Sequence, residues 1–331
     1  MENPKKNNGK GSAASKPKEA AKPAPAPVAP VKVPPLFRKI DWFALLITFG
    51  VIWAVYLWTL APELTLEDSG ELCTGSFYAG IPHPPGYPFW AIYSWLWTLL
   101  PFGNVAWRVE VGESFAAAMG CGMVALMVSR GSSMLIEGLE DLKGVARRWE
   151  NAICIVSGAV SGLLLGLGSY MWGESVVINR ISLFGVPWLI AVILCLMRWA
   201  YAPQQKRYLY IAMLCFGWCA TIHQSLLLSA PAIEVVIALV LPRLGRDLFF
   251  CNSIIYVVVL YFMQKANIPA LNAMTFTERT IFHLVGLGSC AAWNGLYLKA
   301  LIEKGRLKND WLKYFWGALF SFISVFVLFF V

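Results

Sequence analysis

What most constrains this chain is a series of apolar runs, each about 15 to 25 residues long, divided by short polar joints. Crossing a hydrocarbon layer ~30 Å thick takes about 20 helical residues at ~1.5 Å each, and backbone groups facing lipid must pair within their own segment. The runs Trp42–Ala61, Gly112–Ile136, Ala152–Met171, Ile181–Ala200, Tyr208–Ile222, Leu226–Leu241, Leu248–Met263, Thr280–Leu301 and Trp311–Val331 are therefore read as membrane helices. Pro88–Phe102 is rich in tryptophan but short, which suits an interfacial or re-entrant helix. The expected fold class is an all-α integral membrane protein, a polytopic helix bundle of about 8–9 spans.

Composition agrees. Only 14% of the residues are charged, whereas a soluble exterior needs about 25%. The net charge of +8 sits mainly at the front, where nine Lys and Arg residues face three acids within residues 1–41. Residues 1–40 are expected to form a disordered Lys/Ala/Pro-rich cytoplasmic tail, with 41–331 as the transmembrane domain. Such a tail addresses anionic lipid headgroups rather than nucleic acid, and it lacks the pattern of a cleavable signal peptide. Seven of the eight cysteines fall in apolar runs and Cys73 stands alone in a polar loop. No CxxC pair or His/Cys cluster is present, so neither a metal site nor a disulfide framework is expected.

Basic residues fix an orientation. With the tail inside, the inside loops hold Lys143, Arg147, Arg148, Arg198, Lys206, Arg207, Arg243, Arg246, Lys299, Lys304, Arg306 and Lys308. The outside loops hold only Arg108, Arg180, Lys265 and Arg279, which satisfies the positive-inside rule. The long outside loop 62–111 carries Glu63, Glu67, Asp68, Glu71 and Glu110, with Glu113 just beyond it. If Leu64–Leu72 is helical, Asp68 and Glu71 share one face, and clustered carboxylates of this kind suit proton transfer or are simply a solvated acidic loop. His83-Pro84-Pro85-Gly86-Tyr87-Pro88 is a rigid turn leading into the Trp-rich segment.

Asp68-Ser69-Gly70-Glu71-Leu72, then His83-Pro84-Pro85-Gly86-Tyr87-Pro88, then Trp107-Arg108-Val109 resemble the N-terminal signature of the family 117 glycosyltransferases, polytopic proteins of GT-C type. That family includes protein O-mannosyltransferases of the animal transmembrane protein 260 type. Asn179 stands where the family carries an acid, Glu110 where it has Asn, and His223-Gln224 where it has an Asn-His element. The resemblance implies a GT-C-like inverting transferase moving a sugar, mannose in the best-known relatives, from a polyprenyl-phosphate carrier. The acceptor is a hydroxyl on the non-cytoplasmic face, on protein Ser/Thr or a glycan, and no cofactor is implied. Asp68 is then the expected base with Glu71 in support. Arg108, Arg180 and His83 are expected at the phosphate, and His223, Tyr87 and Trp172 at the substrate, with Tyr78 and Trp90 as further aromatic platforms.

Two rival expectations stand beside this one. Glu234 and Arg130 within spans would mark the pathway of a transporter or channel. Alternatively, a chain ending at Phe329-Phe330-Val331 inside an apolar run reads as a truncated, non-catalytic relative that scaffolds partners. His283 is expected to be a packed, satisfied histidine. The tail composition points to a bacterial inner membrane, with the endoplasmic reticulum membrane as the eukaryotic equivalent.

Overall fold

The computed structural model describes residues 33–303, apart from 66–67, 85, 143, 179–180 and 266–273. The expected span Trp311–Val331, nearly all of the tail, and Glu67, Asn179 and Arg180 lie outside the described residues. Among the described residues all regular structure is helical: α1 (Lys39–Thr59), α2 (Ser69–Phe77), α3 (Pro88–Thr98), α4 (Val105–Gly138), α5 (Arg147–Gly166), α6 (Ser169–Ser175), α7 (Gly185–Tyr201), α8 (Arg207–Ile222), α9 (Ala230–Val240), α10 (Pro242–Lys265) and α11 (Phe276–Glu303). Of these, α1, α4, α5, α10 and α11 are long and apolar enough to cross a membrane, while α7, α8 and Ser225–Val240 are shorter apolar helices. The protein is a polytopic helical membrane protein. At 11 residues, or ~16 Å, α3 is too short to cross, as the Trp-rich run predicted.

The bundle is organised on α4, which packs against α1, α3, α5 and α7. In lipid no hydrophobic drive pulls helices together, so they associate by close packing that small residues permit. On α5, Gly158, Gly162 and Gly166 recur every fourth residue and all are buried. A side-chain carbon at Gly158 would stand 2.6 Å from the Ala125 carbonyl, and one at Gly162 would stand 2.6 Å from the Cys121 carbonyl. On α4, Gly122 faces the Leu45 carbonyl of α1 in the same manner. The Tyr56 hydroxyl donates to the Gly166 carbonyl at 2.7 Å, which fastens α1 to the end of α5.

One end of this three-helix core is closed by ion pairs. Arg38 reaches Glu150 of α5 at 2.5 Å, and the fully buried Asp41 accepts from the Arg38 main chain at 2.7 Å and from Ser129 of α4 at 2.6 Å. Leu36 is buried and Arg38 caps a helix starting at Lys39, because two buried carboxylates draw the arginine in. At the opposite end, the Ala61 amide donates to the Val176 carbonyl at 3.0 Å and Asn104 Nδ2 to the Pro62 carbonyl at 2.9 Å. The 62–104 segment and the α6–α7 connection thus gather away from Arg38.

Gly162→Leu should lower the thermal midpoint in detergent by several degrees, since overpacking a tight core costs ~1–3 kcal/mol. Gly131, where an added carbon meets nothing within 4 Å, supplies the control Gly131→Ala, expected to be neutral. Equal midpoints for the two variants would contradict this account of the α4–α5 contact. Arg38→Met should be more damaging, because it strands buried carboxylates at a cost of ~3–5 kcal/mol, read as loss of monodisperse protein.

Candidate functional site

The outer loop folds around α2. Ser69 Oγ accepts from the Thr65 amide at 3.2 Å, and the Asp68 carbonyl takes the Leu72 amide at 2.9 Å. Of the stretch Leu64–Leu72, whose helicity the sequence left conditional, only the part from Ser69 belongs to α2, and Asp68 is its N-cap residue. The chain leaves α2 through Ala79 in left-handed backbone, and the Gly80 amide closes on the Gly75 carbonyl at 2.7 Å. Prolines then stiffen the approach to His83, and Gly86 at φ 90 makes the turn into α3. Helices α2 and α3 are held by a buried Ser76–Ser94 hydrogen bond of 2.9 Å and a cluster containing Leu72, Cys73, Tyr87, Trp90, Val109, Phe184 and Ile222.

This folding delivers His83 to Glu71. The His83 amide donates to Glu71 Oε1 at 2.6 Å, and ring Nδ1 lies 3.2 Å from Oε2. The far nitrogen, Nε2, lies 3.2 Å from the Tyr87 hydroxyl, with the two rings edge to face. The His83 amide, and then its ring, hold the Glu71 carboxyl below its usual range. Tyr87 is pushed the other way by burial first and then by the charges of Asp68 and Glu71. Asp68 makes no side-chain cap bond and leaves its carboxylate exposed. Glu71 is thus engaged by His83, while the Asp68 side chain has no hydrogen-bond partner among the described residues. Asp68, Glu71 and His83 also bring ligand atoms within 4.8 Å of one another, a set that could hold a divalent cation and that the spacing of the residues had not suggested.

Two clefts flank α2 and share Gly70, Thr74 and Tyr78. One, of about 470 Å³, is mainly apolar and runs to Asn104 and Ala106; the other, of about 430 Å³, is bordered by Glu71, Gly80 and Pro82. Tyr78, 75% exposed, stands on their common rim.

The other expected residues are placed differently. The Arg108 guanidinium donates to the carbonyls of Thr98 at 2.9 Å, Phe102 at 3.0 Å and Gly103 at 2.9 Å, so it ties the end of α3 to α4 and any phosphate would compete with those bonds. Trp172 donates to Thr59 at 2.9 Å and His223 turns to Ser225 at 2.7 Å, each serving a helix junction. Trp90 is fully buried and bonded to Glu113, which removes it as a sugar platform. Glu234 accepts twice from Asn252 at 2.7 and 2.6 Å, Arg130 bonds Ser133 on its own helix at 3.1 Å, and His283 meets Tyr256 at 3.1 Å. These intramembrane groups have local partners.

Sequence reading missed the depth of Glu110. Because Asn104 caps α4 by accepting from the Trp107 amide at 2.8 Å, the helix starts at Val105 and carries Glu110 and Glu113 into the protein. Glu110 is fully buried beneath α2, beside Cys73 and the Ile178 main chain. An asparagine followed by Val-Ala-Trp-Arg-Val-Glu was a legible cap signal.

Two measurements check this geometry. Cys73 is buried instead of loop-exposed, and burial, then the Glu110 charge, push its thiol up to about 12. A polar maleimide at neutral pH should therefore label Thr74→Cys, at an exposed neighbour, at least ~10-fold faster than Cys73. A carboxylate held low stabilises its contact above the ordinary range, and the contact is lost as pH falls through the lowered value. The His83 amide resonance should stay in its bonded position through pH ~4.3 and move only below it; movement at higher pH would contradict the grip on Glu71.

Residues 68–243 match the family model described as the protein O-mannosyl-transferase TMEM260 N-terminal domain. The mouse protein O-mannosyl-transferase TMEM260 is 33% identical over 125 residues, which cover 36% of this chain and 18% of the mouse protein. The match thus spans less than a fifth of that relative's length. No solved structure matches. The family match starts at the α2 cap, runs past α9 and takes in more than half of the chain. The chain therefore belongs to the family defined by the N-terminal domain of protein O-mannosyl-transferase TMEM260.

Proposed function

We propose that this protein is a membrane glycosyltransferase of GT-C type. It moves a sugar, mannose by analogy with its relative's name, from a polyprenyl-phosphate carrier to an acceptor hydroxyl on protein Ser or Thr. The observation that carries the reading is the exposed Asp68 carboxylate at the cap of α2, beside a Glu71 that is engaged by His83 and borders one of the two clefts flanking that helix. In a single inverting displacement Asp68 takes the proton of the acceptor hydroxyl as that oxygen bonds to the anomeric carbon. The bond from that carbon to the phosphate oxygen breaks, and the polyprenyl phosphate leaves with the electron pair. Glu71 and His83 shape the pocket, and Tyr78 offers an exposed ring to the sugar. Arg180 is proposed for the departing phosphate because Arg108 is committed to carbonyls.

A lipid-borne donor requires the site at the bilayer surface. The excess of Lys and Arg in the alternate loops supports a cytoplasmic N-terminus and a non-cytoplasmic Asp68. A membrane-impermeant maleimide should accordingly reach Thr74→Cys from the non-cytoplasmic side of sealed vesicles; labelling only from the cytosol removes the donor geometry. In membrane fractions supplied with labelled polyprenyl-phosphate mannose and an acceptor peptide, Asp68→Asn should reduce transfer by at least ~100-fold, the scale of a lost general base. Glu71→Gln should cost less, and both variants should insert normally. Full transfer by Asp68→Asn would eliminate Asp68 as the base.

A further inference from the structure

Tyr87 sits in left-handed backbone at φ 43 and ψ 54, directly after Gly86 at φ 90. That conformation is disfavoured for a bulky L-residue, and glycine or asparagine would fill it with less strain. The turn nevertheless swings a phenol, 8% exposed, back across His83. Its hydroxyl lies 3.2 Å from His83 Nε2, while Glu71 occupies the other side of the ring. An ionised carboxylate only accepts hydrogen bonds, so His83 Nδ1 must carry the hydrogen that points at Glu71. In the neutral ring Nε2 is then a bare acceptor and needs a donor. The hydrogen bond made by one nitrogen sets the state of the other.

We infer that Tyr87 is a positioning residue: its hydroxyl donates to His83 Nε2, holds the ring as the Nδ1–H tautomer, and thereby keeps Glu71 gripped from both the ring and the main chain. With Glu71 fixed in this way, Asp68 is left as the mobile carboxylate of the pair. The tautomer follows from the geometry together with the ionised Glu71 carboxylate, and its effect on transfer rests on the function proposed above. Left-handed backbone at Tyr87 is what brings the hydroxyl to the ring, which explains why a strained position carries a large side chain.

The chain has three histidines, so selective 15N-histidine labelling of the full protein in lipid nanodiscs gives three ring signatures, with His83 assigned by its disappearance in His83→Gln. In alkaline buffer, where a histidine ring is neutral, wild-type His83 should show Nδ1 protonated and Nε2 bare. Tyr87→Phe, which keeps the ring and loses the hydroxyl, should raise the Nε2–H fraction, with Glu71 alone then favouring Nδ1–H, while the His223 and His283 signals stay in place. In the sugar-transfer assay the same variant should lower kcat on the order of tenfold, as loss of an outer hydrogen-bond partner does, with KM for the donor nearly unchanged. A wild-type ring protonated at Nε2, or an unaltered His83 spectrum in Tyr87→Phe, overturns the inference. A tautomer shift with unchanged kcat overturns the positioning role. The spectra need no substrate, so failure of the transferase reading, seen as full activity in Asp68→Asn, is separable from failure of this one.

Discussion

Close approach of α4 to α1 and α5 is the contact on which the remaining arrangement depends. A bilayer offers helices no hydrophobic reward for meeting, so contact must come from backbones near enough for dispersion to accumulate. The glycines of α5 and Gly122 of α4 allow that approach. At 34 residues, or ~51 Å, α4 is longer than the hydrocarbon layer, and its ends serve different purposes. Its last turns support the Arg38–Glu150 closure through Ser129 and Ser133, and its first turns carry Arg108 to the end of α3 and Glu110 beneath α2.

The two ends contrast in how they treat charge. Around Arg38 the acids are buried and paired, an arrangement that resists change because removing one partner strands the other. Around α2 the acids are exposed, and their pairing is partial, with Glu71 engaged and Asp68 not. A closed network favours rigidity, and an open one is suited to exchanging partners with a substrate. Beneath the open network lies Glu110, fully buried, where a loop acid in water would meet no such constraint.

Much of this was legible in the sequence because lipid imposes a simple rule on length and polarity. Trp42–Ala61 predicted α1 to within a few residues, and the shortness of Pro88–Phe102 anticipated that α3 is too short to cross. Boundaries failed where local capping overrode hydropathy. Arg108, Glu110 and Glu113 depress the apolar average, so the helix expected from Gly112 begins seven residues earlier, at Val105, behind its Asn104 cap. Of the conditional stretch Leu64–Leu72, only the part from Ser69 is helical. At the site, the family motifs directed attention to Asp68, Glu71 and His83, which the fold brings together. Arg108 could not be assigned in advance, because which acceptors a guanidinium finds depends on how the 98–103 turn presents its carbonyls. Trp90 and Cys73 were misplaced for a related reason: a polar-looking loop can fold back and bury half of each short helix.

The shortness of α7 and α8 bears on the surrounding lipid. At 17 and 16 residues they reach ~26 and ~24 Å, less than the ordinary hydrocarbon thickness. A helix shorter than the hydrocarbon layer is met by a thinner bilayer, by flanking side chains that snorkel, or by association with other helices. Ile222 at the end of α8 belongs to the same cluster as Leu72 and Trp90, so a bilayer thinned around α8 would adjoin the elements that carry α2. A headgroup diffusing there would ride closer to the midplane than elsewhere, and hydrophobic mismatch would lower the step between the lipid surface and the protein.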